Sequence, residues 1–174
     1  MGKLYLITGD IIEKCKDMDA IVNAQNKYMV HGSGICGAIY NAAGPKLEEY
    51  CHNTYKDNMI DGEIRITPGF NLKIPIIHIL APKAFEQKEP LEALLKSYEN
   101  LLNEITNNNY KKVIIPSLGT GYHGYNHKEV ANPVIKLLYD YCKEHEVEIY
   151  FINYKEEITN IYKKELDKAK QKNK

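Results

Sequence analysis

Two stretches of this 174-residue chain repeat one spacing of glycine: Gly32-Ser33-Gly34-Ile35-Cys36-Gly37 and Gly119-Thr120-Gly121-Tyr122-His123-Gly124 both spell G-x-G-x-x-G. Glycine permits positive φ and lets backbone approach a ligand closely. Successive N–H groups in such a loop can converge on an anion. A helix that starts there adds the positive end of its dipole. The two loops, His31–Gly37 and Gly119–Gly124, can therefore grip two linked phosphates between them. The chemistry predicted is capture of a nucleotide-like diphosphate. Arg65 is the only arginine, and arginine is the usual fork for phosphate. Phosphate binding here must lean on lysine or on backbone N–H groups.

Neither loop ends in Gly-Lys-Ser/Thr, which excludes a P-loop of the usual form. A dinucleotide fingerprint fits poorly as well. The first loop stands several residues beyond its strand, and the strand after the second offers no acidic residue at a clear ribose position. Cys15, Cys36, Cys51 and Cys142 are far apart with no C-x-x-C pair, so no metal site is expected. Reduced thiols in the cytoplasm are the expected state. With 23 basic and 23 acidic residues the formal charge is zero, which argues against nucleic acid as a partner. No apolar run approaches the length of a membrane span, and the N-terminus opens straight into strand-like sequence without the pattern of a secretory leader.

The elements that must position these loops follow from periodicity. Lys3–Thr8, Asp19–Ala24, Gly62–Thr67, Ile74–Leu80, Val113–Ile115 and Val147–Asn153 read as strands. Helices are expected from Ile35 to Ala42, over Leu47–Tyr55, from Leu91 to Ile105, from Val130 to Tyr141 and over Ile158–Leu166. The alternation predicts an α/β fold with a largely parallel central sheet in one domain, residues 1–167. The lysine-rich stretch 168–174 is expected to be a frayed tail. In open sheets of this kind ligands sit beyond the carboxyl ends of the strands, where both glycine loops fall.

Several further segments make the pattern specific. Gly9-Asp10-Ile11, Asp19-Ala20-Ile21-Val22-Asn23-Ala24-Gln25-Asn26, the first glycine loop with Asn41-Ala42-Ala43-Gly44 behind it, and Ile115-Pro116-Ser117-Leu118 leading into the second loop resemble the macrodomain family. The order and spacing hold from Leu4 to about Tyr162. The resemblance implies a three-layer α/β/α sandwich that binds ADP-ribose. Many members, notably the MacroD-type branch, remove mono-ADP-ribose from proteins or deacetylate O-acetyl-ADP-ribose. It implies that Asp10, with the Ile11 backbone beside it, accepts from the adenine amino group and that Tyr154 stacks on adenine. Ser33, Gly34 and Ile35 would face one phosphate, and Gly119, Thr120, Gly121, Tyr122 and His123 would wrap the diphosphate. Asn26 would bond the distal ribose, with His123 lining it. Asn23 reads as a buried structural amide. No cofactor is implied; the partners are ADP-ribose, an ADP-ribosylated protein or O-acetyl-ADP-ribose.

One position departs from the family. The hydrolase branch carries an aspartate where this chain has Cys36, and a neutral thiol is a poor proton acceptor. Three roles stay open for Cys36. It could pack beneath a ligand that is only bound, or act as a thiolate activated by the helix N-terminus. It could also stand aside while Asn26, the phosphates and held water do the chemistry. His31, which opens the first loop, could assist water near neutral pH. Gln25 replaces an alanine common in the family and receives no role.

Overall fold

The computed structural model describes residues 1–173. Its strands are β1 (Lys3–Thr8), β2 (Ala20–Ala24), β3 (Ile64–Thr67), β4 (Ile76–Ile79), β5 (Lys112–Pro116) and β6 (Glu148–Asn153). They form one six-stranded sheet in the order β1-β6-β5-β2-β4-β3. All pairings are parallel except β3 with β4. The central strands are apolar on both faces because both faces are covered. In β2, Ala20 and Val22 point to one side of the sheet and Ile21 to the other; in β5, Val113 and Ile115 oppose Ile114 in the same way.

One layer of helices holds α1 (Ile11–Lys14), α2 (Gly34–Ala43) and α3 (Pro45–Thr54). It closes over Ile21, Ile76, Ile114 and Ile152 with Ile39, Tyr40 and Leu47. The other layer holds α4 (Pro90–Asn107), α5 (His127–Glu144) and α6 (Glu156–Gln171). There Leu94, Leu101, Ile105, Val134, Leu138 and Tyr162 pack on Val22, Ile115 and Phe151. Each such side chain contributes about 1.5–3 kcal/mol relative to exposure. The result is a three-layer α/β/α sandwich.

Two features differ from the sequence reading. The four-residue α1 is too short to show a period, and Asp10 starts it by accepting from the Ile12 N–H at 2.7 Å. The last helix runs through Gln171, so residues 168–171 of the expected frayed tail are helical. Lys168 and Lys170 sit in its last turn, where the dipole favours cations. Lys174 lies outside the described residues. Among the described residues, no helix is long and apolar enough to cross a membrane.

Candidate functional site

The parallel strands β2, β4, β5 and β6 all end on one side of the sheet, and a cavity of about 480 Å³ opens there. Ala24–Asn26 enters it from β2, Ala81 from β4, Pro116 and Ser117 from β5, and Ile152–Tyr154 from β6. Both glycine loops complete the wall. The expected residues Asn26, Ser33, Gly34, Ile35, Cys36, Gly119, Thr120, Gly121, Tyr122, His123 and Tyr154 all line it.

The first loop runs directly into α2. Ser33 is the N-cap but makes no side-chain capping bond. The first-turn N–H groups of a helix have no partner within it, so this end presents free donors to the cavity. The second loop is a turn closed on itself: Gly124 N donates to Gly121 O at 3.1 Å, and Tyr125 N donates to Gly119 O at 3.0 Å. The N–H groups from Gly119 to His123 take no acceptor among the described residues. The two loops therefore offer donors from two walls of one cavity, without an arginine.

At one end stands Tyr154, 78% exposed. It is no core residue, and its ring is free to stack on a flat group. Beside it Ser117 Oγ donates to Asn153 Oδ1 at 2.7 Å. Asn153 Nδ2 is buried without a partner, an unused donor in the cavity wall. Gly9 N donates to Asn153 O at 3.1 Å, which draws the Gly9–Asp10 turn alongside. Asp10 and Ile11 themselves do not line the cavity.

The other end holds Asn26, Cys36 and His123. Asn26 is committed to its own loop: Nδ2 donates to Val30 O at 2.8 Å, and Oδ1 accepts from Tyr28 N at 3.1 Å. Cys36 is 5% exposed. Amide groups of Gln25 at 3.5 Å and of Asn23 and Asn26 at 3.9 Å surround its sulfur. Burial pushes the thiol up, outweighing the opposing pull of these amides. The sulfur therefore stands neutral near pH 7, against the thiolate role. His31 is turned away: its Nε2 pairs with Asn41 Oδ1 at 2.9 Å and its N–H donates to Glu48 Oε1 at 3.2 Å. It does not line the cavity. No aspartate or glutamate among the described residues does so either.

Beneath this end lies a buried polar network that sequence reading missed. Gln25 Oε1 accepts from Tyr40 OH at 2.9 Å and from Asn23 Nδ2 at 3.0 Å, and His78 Nδ1 lies 2.9 Å from the same oxygen and 3.1 Å from Asn23 Nδ2. His78 Nε2 lies 2.9 Å from Thr67 Oγ1, whose hydroxyl donates to Pro68 O at 3.1 Å. Burial pushes His78 down to about 3, so it stays neutral. With its oxygen fixed, Gln25 turns its NH2 group toward Val30 O, at 3.2 Å, and Cys36. Gln25, Ser117, Asn153 and His127 line the cavity without having been assigned a role in it from the sequence. The first two follow the last residues of their strands and Asn153 ends its own. Applying the strand-end rule to every predicted strand would have named these three.

A sandwich with its cavity at the carboxyl ends and two donor-rich loops defines a class of phosphate-binding α/β domain. The chain matches the model of the Macro domain over residues 22–134 and belongs to that family. It is 31% identical over 168 residues to the O-acetyl-ADP-ribose deacetylase of Salmonella typhimurium, covering 92% of each chain. It is 30% identical to the protein of that name in Escherichia coli K12, covering 93% of this chain and 94% of the other. Among solved structures, the Oceanobacillus iheyensis macrodomain with ADP superposes with a TM-score of 0.88 at 29% identity, over 98% of this chain and 93% of that one. The Trypanosoma brucei macrodomain in complex with ADP-ribose gives 0.78 at 26%, over 92% and 67%.

Proposed function

We propose that the cavity binds ADP-ribose and that the protein hydrolyses bonds made to its distal ribose. Acetate would be released from O-acetyl-ADP-ribose, or mono-ADP-ribose from a modified protein. The observation that carries this reading is the arrangement of donors. Free N–H groups of both glycine loops face one cavity that runs from an exposed tyrosine to Asn26 and Cys36. In this reading Tyr154 stacks on adenine, with Asp10 and Ile11 at its rim and Asn153 supplying a donor. Ser33, Gly34, Ile35 and Gly119 to His123 hold the diphosphate. The distal ribose lies against Asn26, and water attacks there. The loop N–H groups stabilise negative charge as it develops. The names of the bacterial relatives agree with this activity. The four free, buried cysteines fit a cytoplasmic setting.

The test is incubation with O-acetyl-ADP-ribose and with mono-ADP-ribosylated protein, beside Asn26→Ala checked for folding. Release of acetate or ADP-ribose that falls at least tenfold in the variant is expected. Tight ADP-ribose binding by calorimetry with no release would leave a binding module instead. Cys36, a neutral thiol in place of a carboxylate, favours that second reading. The amides around its sulfur would also accept a carboxylate, so Cys36→Asp is expected to raise turnover if hydrolysis is the function.

A further inference from the structure

The cavity lacks a carboxylate, its thiol is neutral and enclosed, and His31 is turned elsewhere. Of the side chains that line the cavity, this leaves the imidazoles of His123 and His127 as candidate proton acceptors. His123 meets the geometric requirement. Its Nδ1 lies 2.8 Å from Ala81 O and 3.3 Å from Pro82 O. Both partners are carbonyl oxygens and can only accept, so Nδ1 carries the hydrogen. In the neutral ring Nε2 then holds a lone pair. That nitrogen has no partner among the described residues, and the residue lines the cavity. The backbone fixes the same orientation, because Ala84 N donates to His123 O at 2.8 Å. An imidazole whose far N–H is bound to a carbonyl is held in one tautomer and one ring orientation.

We infer that His123 is the proton acceptor of the reaction, taking through Nε2 a proton from the attacking water; this rests on the reading of the cavity given above. For an acetyl ester the water oxygen bonds to the carbonyl carbon as its proton passes to Nε2. The bond from that carbon to the ribose oxygen then breaks. The ribose oxygen leaves with the proton from Nε2, and acetic acid is released and ionises. Nothing further is consumed. His127 also lines the cavity, but its Nδ1 is paired with Tyr162 OH at 2.8 Å and burial lowers its basicity.

The titratable groups packed beside His123 are Tyr122, whose ring centroid is 6.4 Å from its own, and Lys83, which overlies the Tyr122 ring. Cys36, His127 and Tyr154 stand elsewhere in the same cavity wall. Of these, His127 is the group whose protonation could imitate that of His123.

The test measures acetate release against pH for wild type, His123→Phe, His123→Gln and His127→Phe, with ADP-ribose affinity by calorimetry for each. His123→Phe keeps an aromatic wall, and His123→Gln can hold water but cannot take its proton. Both are expected to lower kcat by about a hundredfold or more, to leave ADP-ribose affinity within a few-fold, and to abolish the fall in kcat toward acid pH. Unchanged kcat in both variants overturns the assignment. So does an acid limb that survives in them and vanishes in His127→Phe, or wild type that binds ADP-ribose without turnover. Wild type that fails to bind ADP-ribose sinks the reading of the cavity itself.

Discussion

The two glycine loops share six-residue spelling and little else. The first is a helix start. Gly37 serves packing, since a Cβ there would lie 2.4 Å from Gly32 O, while Gly34 has φ +57° and open space where a Cβ would stand. The second is a self-closed turn. Gly119 has φ +75°, and a Cβ there would meet the Tyr125 ring at 2.7 Å. That ring cannot easily yield, because Tyr125 OH donates to Pro90 O at 2.6 Å. Gly121 has neither constraint, because a Cβ there would meet nothing within 4 Å. The first loop also rests on the buried Gln25–His78 network, whereas Ser117 and Asn153 brace the second. One sequence pattern thus reaches the same surface, a wall of free N–H groups, by two routes.

Acid should separate the routes most. The unfolded chain protonates histidine near pH 6.5, whereas folded His78 resists down to about 3. The unfolded state therefore binds the proton first as pH falls. Stability is full above about pH 6.5 and is lost toward pH 3 at up to roughly 1.4 kcal/mol per pH unit. His127, also lowered by burial, adds in the same direction. Urea unfolding between about pH 7 and 5 should show this loss, and amide exchange should quicken in the first loop before the second. A flat profile, or the second loop opening first, would break the comparison.

Gly37→Ala comes next. Because Gly32 O is backbone and cannot swing aside, it should cost about 2–3 kcal/mol and loosen the first loop, read by urea unfolding and exchange. Gly119→Ala should cost about 2–3 kcal/mol through its left-handed backbone and the anchored Tyr125 ring together, with the loss of exchange protection confined to the second loop. Gly121→Ala is the small end of the series, moving stability by less than about 0.5 kcal/mol. If Gly121→Ala proved as costly as Gly119→Ala, the second loop would not be the turn described.

Much of the fold is legible in the sequence because the strands are buried on both faces and read as apolar runs. The long amphipathic face of α4 is equally plain. Asn23 reads as a buried amide and is fully buried. Pattern alone finds the loops but not their unlike constraints, since one arises from a carbonyl five residues back and the other from a ring six residues on. The network under Cys36 is hidden for a similar reason. Gln25, Tyr40, Thr67 and His78 lie on different elements, and His78 sits inside the expected strand Ile74–Leu80 as its one polar residue. Nothing local marks such a group as a partner of Gln25. The short α1 and the extra turn of α6 carry too few apolar residues to show a period.

Gln25 has a consequence for anyone redesigning this protein. Its oxygen accepts from Tyr40 and Asn23 beside the His78 ring, while its nitrogen steers the sulfur and the loop carbonyl. Position 36 can therefore be recoded to probe or alter chemistry while its surroundings stay put. Position 25 cannot: alanine would take the acceptor from Tyr40 and Asn23 at once, and glutamate would keep it but turn a second acceptor toward Val30 O. The residue without an assigned role in the sequence is the one that sets which neighbouring positions are open to engineering.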